Sequence, residues 1–259
     1  MSTKYELDGD VAIVTLNRPD RYNAIDADLS AAVVADLARA GDEARAVVLT
    51  GMGKAFCSGA DLSGFAAEYE GAGPDLARHL DEEFHPMVAA IGWSRVPVVA
   101  AVNGVAAGAG MGLALGCDLR VMAESAYFTS AFTAIGLVPD SGTTWLLPHH
   151  VGVSLAMEMA LTNRRMPATE AHDRGLCAGV TPDGQAVEKA LEFAARLADL
   201  PTDALVTTRN LIRGSSQLTL AEGLEAEKRE QGRLGRTPEH REGVKAFLEK
   251  RPADFRNPA

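Results

Sequence analysis

The stretch from Pro97 to Asp118, PVVAAVNGVAAGAGMGLALGCD, restricts the possible folds of this chain more than any other. It opens with β-branched and small apolar residues, Val98 to Val102, the composition of a strand buried on both faces. Asn103-Gly104 marks a turn. Gly108, Gly110 and Gly112 then alternate with other small residues before the apolar pattern resumes at helical spacing through Met111, Leu113 and Leu115. The first turn of such a helix has no carbonyls for its N–H groups, and glycine has no side chain to cover them. The stretch therefore presents backbone donors to a ligand oxygen. A dinucleotide fingerprint, G-x-G-x-x-G, fails in each register, because Leu113 or Leu115 stands where the last small residue is required. On this segment alone, glycines that merely allow tight helix packing remain an alternative.

The rest of the chain repeats the alternation of strand and helix. Tyr5 to Leu7 and Val11 to Leu16 flank Asp8-Gly9-Asp10, which predicts a hairpin ended by Asn17-Arg18-Pro19. Asp26 reads as the N-cap of a helix carrying Leu29, Val33, Val34 and Leu37, and Ala46 to Thr50 as a short buried strand closing at Gly51. A second loop follows, Ala55-Phe56-Cys57-Ser58-Gly59-Ala60-Asp61-Leu62, whose small residues again let a ligand approach the backbone; Asp61 is placed to cap the next helix. After Pro74 the spacing predicts a helix over Leu76 to Ile91 with Leu80, Phe84, Met87, Val88 and Ile91 facing inward. Leu119 to Ala123 and Ala126 to Thr129 read as strands, and Ile135 to Gly142 as a loop into a helix carrying Trp145, Leu146 and Leu147. From Ser154 the pattern is mostly helical, with Val180 in a last strand. Beyond Pro201 three amphipathic helices are expected, near 202–213, 217–234 and 238–250. The expectation is an α/β body over residues 1–200 and a helical C-terminal subdomain over 201–259.

Composition narrows the partners. With 259 residues, 47% of them hydrophobic, the chain can bury a full-sized core, and its net charge of -10 argues against nucleic acid or an acidic membrane surface as a partner. Cys57, Cys117 and Cys177 are odd in number and far apart, so neither a disulfide framework nor a zinc site is indicated. The N-terminus MSTKYELDGD carries acids where a signal peptide needs an apolar run, and no apolar stretch reaches the ~20 residues of a membrane span. A soluble, cytoplasmic protein is the expectation.

Several conspicuous features carry no chemistry. His79, Asp81, Glu82, Glu83 and His85 scatter over more than one face of a helix and match no metal spacing, so a solvated face is expected, with no metal site. His149-His150 is placed to cap carbonyls at a helix end, and the charged run from Glu222 to Arg233 to form an exposed or subunit-facing helix. Cys57 lacks a visible base and reads as buried filler. Gly152-Val153-Ser154-Leu155-Ala156 misses the second glycine of a nucleophile elbow.

The two small-residue loops gain meaning together. Each follows a strand or a turn region, and each can offer one backbone N–H, from Ala60 and from Ala109, to a single carbonyl oxygen, as a site stabilising an enolate-like anion requires. FCSGADL and NGVAAGAGMGLALGCDLRVMAESAYF resemble the two signature segments of the crotonase, or enoyl-CoA hydratase/isomerase, superfamily, and the resemblance runs from the first hairpin through NRPDRYNA to the tail REGVKAFLEKR. It implies a crotonase-like spiral of β-β-α units with a helical C-terminal region that packs subunits into a homotrimer or dimer of trimers. It further implies an acyl-CoA thioester bent between the loops, and no cofactor beyond the coenzyme A of the substrate. By the same resemblance Ala60 and Ala109 are the oxyanion donors, Ser58, Asp61 and Leu62 line the adenine and pantetheine path, Arg21 meets the ribose phosphate, and Phe247 and Lys250 reach a neighbouring subunit's CoA.

Departures from the family pattern point to the chemistry. Where the superfamily's hydratases carry two glutamates, this chain has Gly112 and Phe132, and neither residue can transfer a proton. Asp140, in IGLVPDSG, matches the position where several isomerases of the superfamily place a catalytic aspartate; from local sequence it reads equally well as a helix N-cap. NGVAAGAG, VPDSG, TTWLLPHHVG and HREGVKAFLEKR are most similar to the ring-1,2-epoxyphenylacetyl-CoA isomerase branch. The resemblance thus implies an isomerase in which Asp140 moves a proton within an enolate-type intermediate, with Phe132 against the substrate. A hydratase-like enzyme with atypical acid/base residues and a catalytically idle acyl-CoA-binding homologue are the alternatives.

Overall fold

The computed structural model describes residues 1–71 and 73–258. The chain divides into two compact units, Met1–Ala194 and Ala195–Ala259, the division falling inside the helix Ala186–Ala198 rather than at Pro201.

In the first unit the strands form two sheets. The larger has the order β1-β2-β3-β5-β7-β10, with β1 (Thr3–Asp8), β2 (Val11–Leu16), β3 (Ala46–Gly51), β5 (Val98–Val102), β7 (Leu119–Ala123) and β10 (Gly179–Thr181). β1 and β2 make an antiparallel hairpin across Gly9, and every later pairing in this sheet is parallel. Parallel strands need a crossover, and the helices Ala27–Glu43 and Ala109–Gly116 supply two of them. β3 and β5 are buried at every residue, which accounts for their unbroken apolar runs.

The smaller sheet has the order β4-β6-β8-β9, with β4 (Ala55–Cys57), β6 (Val105–Ala107), β8 (Tyr127–Thr129) and β9 (Met166–Pro167). It supplies the second β of each β-β-α turn: the chain runs from β3 to β4, from β5 to β6 and from β7 to β8, giving a long strand to one sheet and a short strand to the other. The crotonase-like α/β spiral follows from this repeat. Periodicity does not reveal β4, β6 and β9, because strands this short lack an alternation to read. The loop at Ala55 to Cys57 and the turn after Gly104 are therefore strands.

The helix Ala27–Glu43 starts as its sequence dictates, with Asp26 accepting from the Leu29 N–H at 2.8 Å, and buries Leu29, Val33, Leu37 and Ala40. The helix expected over Leu76 to Ile91 is interrupted: α-helical Leu76–His79 and His85–Gly92 flank a π-turn, Leu80–Phe84. Pro86 has no N–H to donate one turn back, which favours the wider turn ahead of it. The expected solvated face is not solvated at His79, which is only 7% exposed. Its ring nitrogens lie 2.7 Å from Glu83 Oε1 and 3.0 Å from Glu68 Oε1, and its ring packs on Phe65. The hydrogen bond to Glu83, with that to Glu68, holds its pKa above the ordinary histidine value.

The second unit contains the helices Thr202–Gly214, Leu220–Leu234 and Pro238–Glu249. Thr219 and Glu222 form a capping box at the start of the middle one, and Arg233 reaches back from it to Asp203 at 2.6 and 2.9 Å. Glu242, buried, accepts from both Nη atoms of Arg251 at 2.6 and 3.0 Å, and this ion pair pulls its carboxyl down to about 2. Among the described residues no helix is long and apolar enough to cross a membrane.

Asn23 is the polar hub of the first unit. Fully buried and in the left-handed region at φ 56°, it donates its amide to the carbonyls of Met52, Ala55 and Phe56 at 3.0, 2.8 and 3.2 Å and accepts from the Arg18 N–H at 2.9 Å. Asn23→Ala strands several buried carbonyls and removes a residue type that tolerates this conformation. We expect it to lower stability by about 2–4 kcal/mol, read as a reduced denaturation midpoint with unchanged slope. A loss below about 0.5 kcal/mol would contradict the assignment.

Candidate active site

The parallel pairing of β4 with β6, Ala55 with Val105 and Cys57 with Ala106, brings their two following loops together. Backbone touches backbone there. A Cβ on Gly110 would lie 2.3 Å from the Cys57 carbonyl oxygen, and one on Gly59 would lie 3.0 Å from the Ala107 oxygen and 3.5 Å from the Ala109 nitrogen. Gly59 and Gly108 also have φ of 94° and 53°, a region that side chains disfavour.

Each of these loops carries a backbone donor. Ala60 forms a parallel bridge with Ile25 in which Ile25 donates to Gly59 and Asp61 donates to Ile25, at 2.7 and 2.8 Å. In such a bridge the peptide N–H of Ala60 itself faces the opposite side. Ala109 opens the helix Ala109–Gly116, whose first-turn N–H groups have no preceding carbonyls of their own; the Gly108 carbonyl is taken by Met111 and Gly112. Ala60 follows Gly59 in the chain, and a Cβ on Gly59 would lie 3.5 Å from the Ala109 nitrogen, so the backbones carrying the two N–H groups meet at this contact.

The acid comes from the chain after β8. Ser141 packs on the same helix: a Cβ on Gly112 would lie 2.5 Å from the Ser141 carbonyl oxygen, 3.0 Å from its Cβ and 3.2 Å from Thr143 Oγ1. Asp140 directly precedes this contact residue in the chain. Its carboxylate does not cap a helix. The following helix is Thr143–Val151, its N-cap is Gly142 without a side-chain bond, and only the backbone carbonyl of Asp140 accepts from the Thr143 N–H, at 2.8 Å. The carboxylate Oδ1 accepts from the Ser141 hydroxyl at 2.7 Å. Burial raises the Asp140 pKa above the ordinary carboxylate value, opposed by the Ser141 hydroxyl and by the charge of His85. Phe132, buried, is the other neighbour of the glycine turn, its Cζ 3.7 Å from where a Gly108 Cβ would stand.

The remaining expected site residues fall in different places. Ser58 and Arg21 meet: the Ser58 hydroxyl donates to the Arg21 carbonyl at 3.4 Å, and the Arg21 side chain is exposed. Leu62 is exposed beside them in sequence, on the short 3-10 helix Leu62–Phe65. Asp61 serves the protein rather than open space. It caps that helix through the Ser63 N–H, accepts from the Ser63 hydroxyl at 2.5 Å, and pairs with Arg18 at 2.8 Å, contacts that hold its carboxyl below the usual range. Phe247 and Lys250 belong to the second unit, where Phe247 is exposed and Lys250 ends the helix Pro238–Glu249 in the left-handed conformation.

Sequence reasoning passed over Arg18. Its guanidinium bridges Asp26 and Asp61 at 2.9 and 2.8 Å and so fixes the Ala60 loop against the start of the first long helix. A fork-shaped cation between carboxylates far apart in sequence leaves no local signal. Cys57 is buried and its thiol is pushed up to about 12 by burial, which leaves it inert. His149 and His150 face the carbonyls of Trp145 and Leu115. Among the described residues no cluster of His, Cys, Asp and Glu could hold a metal ion.

Comparison with known proteins agrees with this geometry. Residues 6–258 match the family model described as "Enoyl-CoA hydratase/isomerase". The chain is 45% identical to a "probable enoyl-CoA hydratase" of Rhodobacter capsulatus, over 97% of this chain and 96% of that one. It is 39% identical to the 1,2-epoxyphenylacetyl-CoA isomerase of Escherichia coli, over 95% and 94% of the two chains. The crystal structure of an enoyl-CoA hydratase from Polaromonas superposes with a TM-score of 0.90 at 34% identity, covering 97% of this chain and 95% of that one.

The backbone contact at Gly110 is open to test. Gly110→Ala would drive a Cβ into the Cys57 carbonyl, so we expect about 2–3 kcal/mol of destabilisation and a turnover loss of about 10²-fold or more as the donors separate. Gly223→Ala, whose added Cβ meets nothing within 4 Å, is the control. Equal thermal midpoints and equal turnover in the two variants would refute the contact's importance.

Proposed function

The chain belongs to the enoyl-CoA hydratase/isomerase family, and from that membership we propose that it is an acyl-CoA isomerase. The reaction is the shift of a double bond, or the opening of a ring epoxide, within a CoA thioester. The thioester carbonyl accepts from the N–H groups of Ala60 and Ala109. Asp140 removes a proton from the carbon next to the unsaturation, the electron pair moves into the thioester as an enolate-type anion, and the same proton returns at another carbon. No atom is gained or lost. Each donor of such a pair is worth about 3 kcal/mol to the anion.

The observation that supports this reading is the packing of Ser141, whose hydroxyl bonds the Asp140 carboxylate, on Gly112 of the helix Ala109–Gly116, where positions 112 and 132 offer no acid. Burial that raises its pKa suits a group that must both accept and return a proton. The Ser141 backbone fills the space that any side chain at position 112 would need, so a glutamate there is excluded by packing as well as by sequence. Phe132 gives the glycine turn an apolar wall, which disfavours a bound water and favours a ring or unsaturated chain. Hydration with Asp140 as the lone acid and base is the second reading, favoured by the 45% identity to a protein named as a hydratase.

For assembly we propose a homotrimer or dimer of trimers. What supports association of copies is the apolar stripe Val153, Met157 and Leu161, at 69, 56 and 66% exposure one helical turn apart. Sedimentation at micromolar concentration should give a trimer or hexamer, and a monomer would rule the proposal out.

Asp140→Asn is isosteric and removes no cap, so the fold and CoA-ester affinity should persist, with a thermal midpoint equal to or above that of the parent because a buried charge is gone. Isomerisation should fall about 10²- to 10⁴-fold. A variant keeping more than about a third of the parent rate would overturn the assignment. Loss of enoyl-thioester absorbance on trans-2-enoyl-CoA, with water uptake in the product, would favour the hydratase reading instead.

A further inference from the structure

We propose that Ser141 is the positioning residue for Asp140, fixing which carboxylate oxygen faces the acyl group. This rests on the reading of Asp140 as the proton carrier.

Three observations converge on Ser141. Its hydroxyl donates to Asp140 Oδ1 at 2.7 Å from a residue only 1% exposed, so the donor side of the bond is held inside the protein. Its backbone sits at φ 51°, in the left-handed region, where a turn without further duty takes glycine or asparagine. A buried serine held in that conformation signals a requirement for its side chain. Third, its carbonyl and Cβ pack against Gly112, so Ser141 cannot shift without disturbing the helix that carries the Ala109 donor.

These contacts lock Asp140 at both ends. The Thr143 N–H holds its backbone carbonyl and the Ser141 hydroxyl holds Oδ1, which leaves Oδ2 to carry the proton. The absence of a side chain at position 112 is then a requirement for this device: the volume beside Gly112 belongs to the residue that orients the acid. The charged groups facing Asp140 are few. Among the described residues the Ser141 hydroxyl and the charge of His85 act on it, and His85 itself lies 3.4 Å from Asp81. Removing the hydroxyl withdraws a bond to the ionised form, so the Asp140 pKa rises further and the acid limb of the rate profile moves to higher pH.

The test compares Ser141→Ala, Ser141→Gly and Asp140→Asn in the full-length protein on an isomerisable enoyl-CoA. Ser141→Gly removes the same hydroxyl and relieves the left-handed strain that Ser141→Ala keeps, so the pair separates loss of the hydroxyl from a backbone effect. We expect both serine variants to lose about 10- to 100-fold in kcat with KM within about 3-fold of the parent, and the acid limb to move upward. Parent-like kcat and an unshifted profile in both, with Asp140→Asn inactive, would overturn the positioning role and leave the proton carrier standing. Loss in Ser141→Ala alone would trace the effect to the backbone and also overturn it. An active Asp140→Asn would instead remove the reading on which the proposal rests.

Discussion

The close approach of two backbones, with Gly110 lying on the Cys57 carbonyl and Gly59 on the Ala107 carbonyl, is the contact on which the rest of the structure depends. Parallel pairing of β4 with β6 sets the distance between the two loops, but only residues without side chains let them close to it. In the proposed reading the N–H of Ala60 and that of Ala109 serve one carbonyl oxygen, and secondary structure already leaves both of them without a partner in their own element. One N–H is left over by a parallel bridge, the other by a helix start. Neither donor has to be ordered at the moment of reaction, which is the physical basis of preorganised electrostatic stabilisation.

That core of backbone is held from outside by polar side chains from the Asn17–Ala24 segment. Asn23 satisfies carbonyls at the β3–β4 connection, and Arg18 joins Asp26 to Asp61. The Arg18 pairs are partly buried, so their value is less in net stability than in fixing one geometry, since breaking them leaves a half-buried charge. Asp61 thereby has its oxygens occupied within the protein, and its part in the site is to hold the Ala60 loop. The same economy appears at His79, whose ring joins the short helix Ala66–Tyr69, through Glu68, to the π-turn through Glu83.

Chemistry is then decided by what stands around a single turn of helix. Gly112 and Phe132 bring no proton-transferring group, while Asp140 is carried to that turn by a loop whose Ser141 occupies the volume beside Gly112. A scaffold that presents two N–H donors to a thioester carbonyl stabilises an enolate whichever acid is present. The acid's position, hydration and pKa select where the proton goes. In the proposed reading a half-buried aspartate with one oxygen tied by a hydroxyl serves a reaction in which one proton leaves and returns.

Much of this was legible in the residues. β-branched runs gave the long strands at Ala46 and Val98, Asp26 gave a helix start, and the small residues of the two loops gave their close backbone approach, because each rests on local propensity or on the simple absence of side chains. The short strands β4, β6 and β9 were not legible, being too brief for periodicity, and so neither was the second sheet that aligns the loops. Asp140 could be read as a cap or as an acid, and only tertiary packing removed the cap reading, by placing Gly142 at the helix start and the carboxylate against Ser141. His79 likewise found Glu68, 11 residues away, and Arg18 found Asp61, 43 residues away, each on another element. The sequence by itself determined which backbone segments have bare N–H groups and which positions lack an acid, since both are properties of single residues. The meeting of those groups, and the burial that tunes the acid, belong to the tertiary structure alone, because desolvation and hydrogen-bond partnership are set by residues brought together in space.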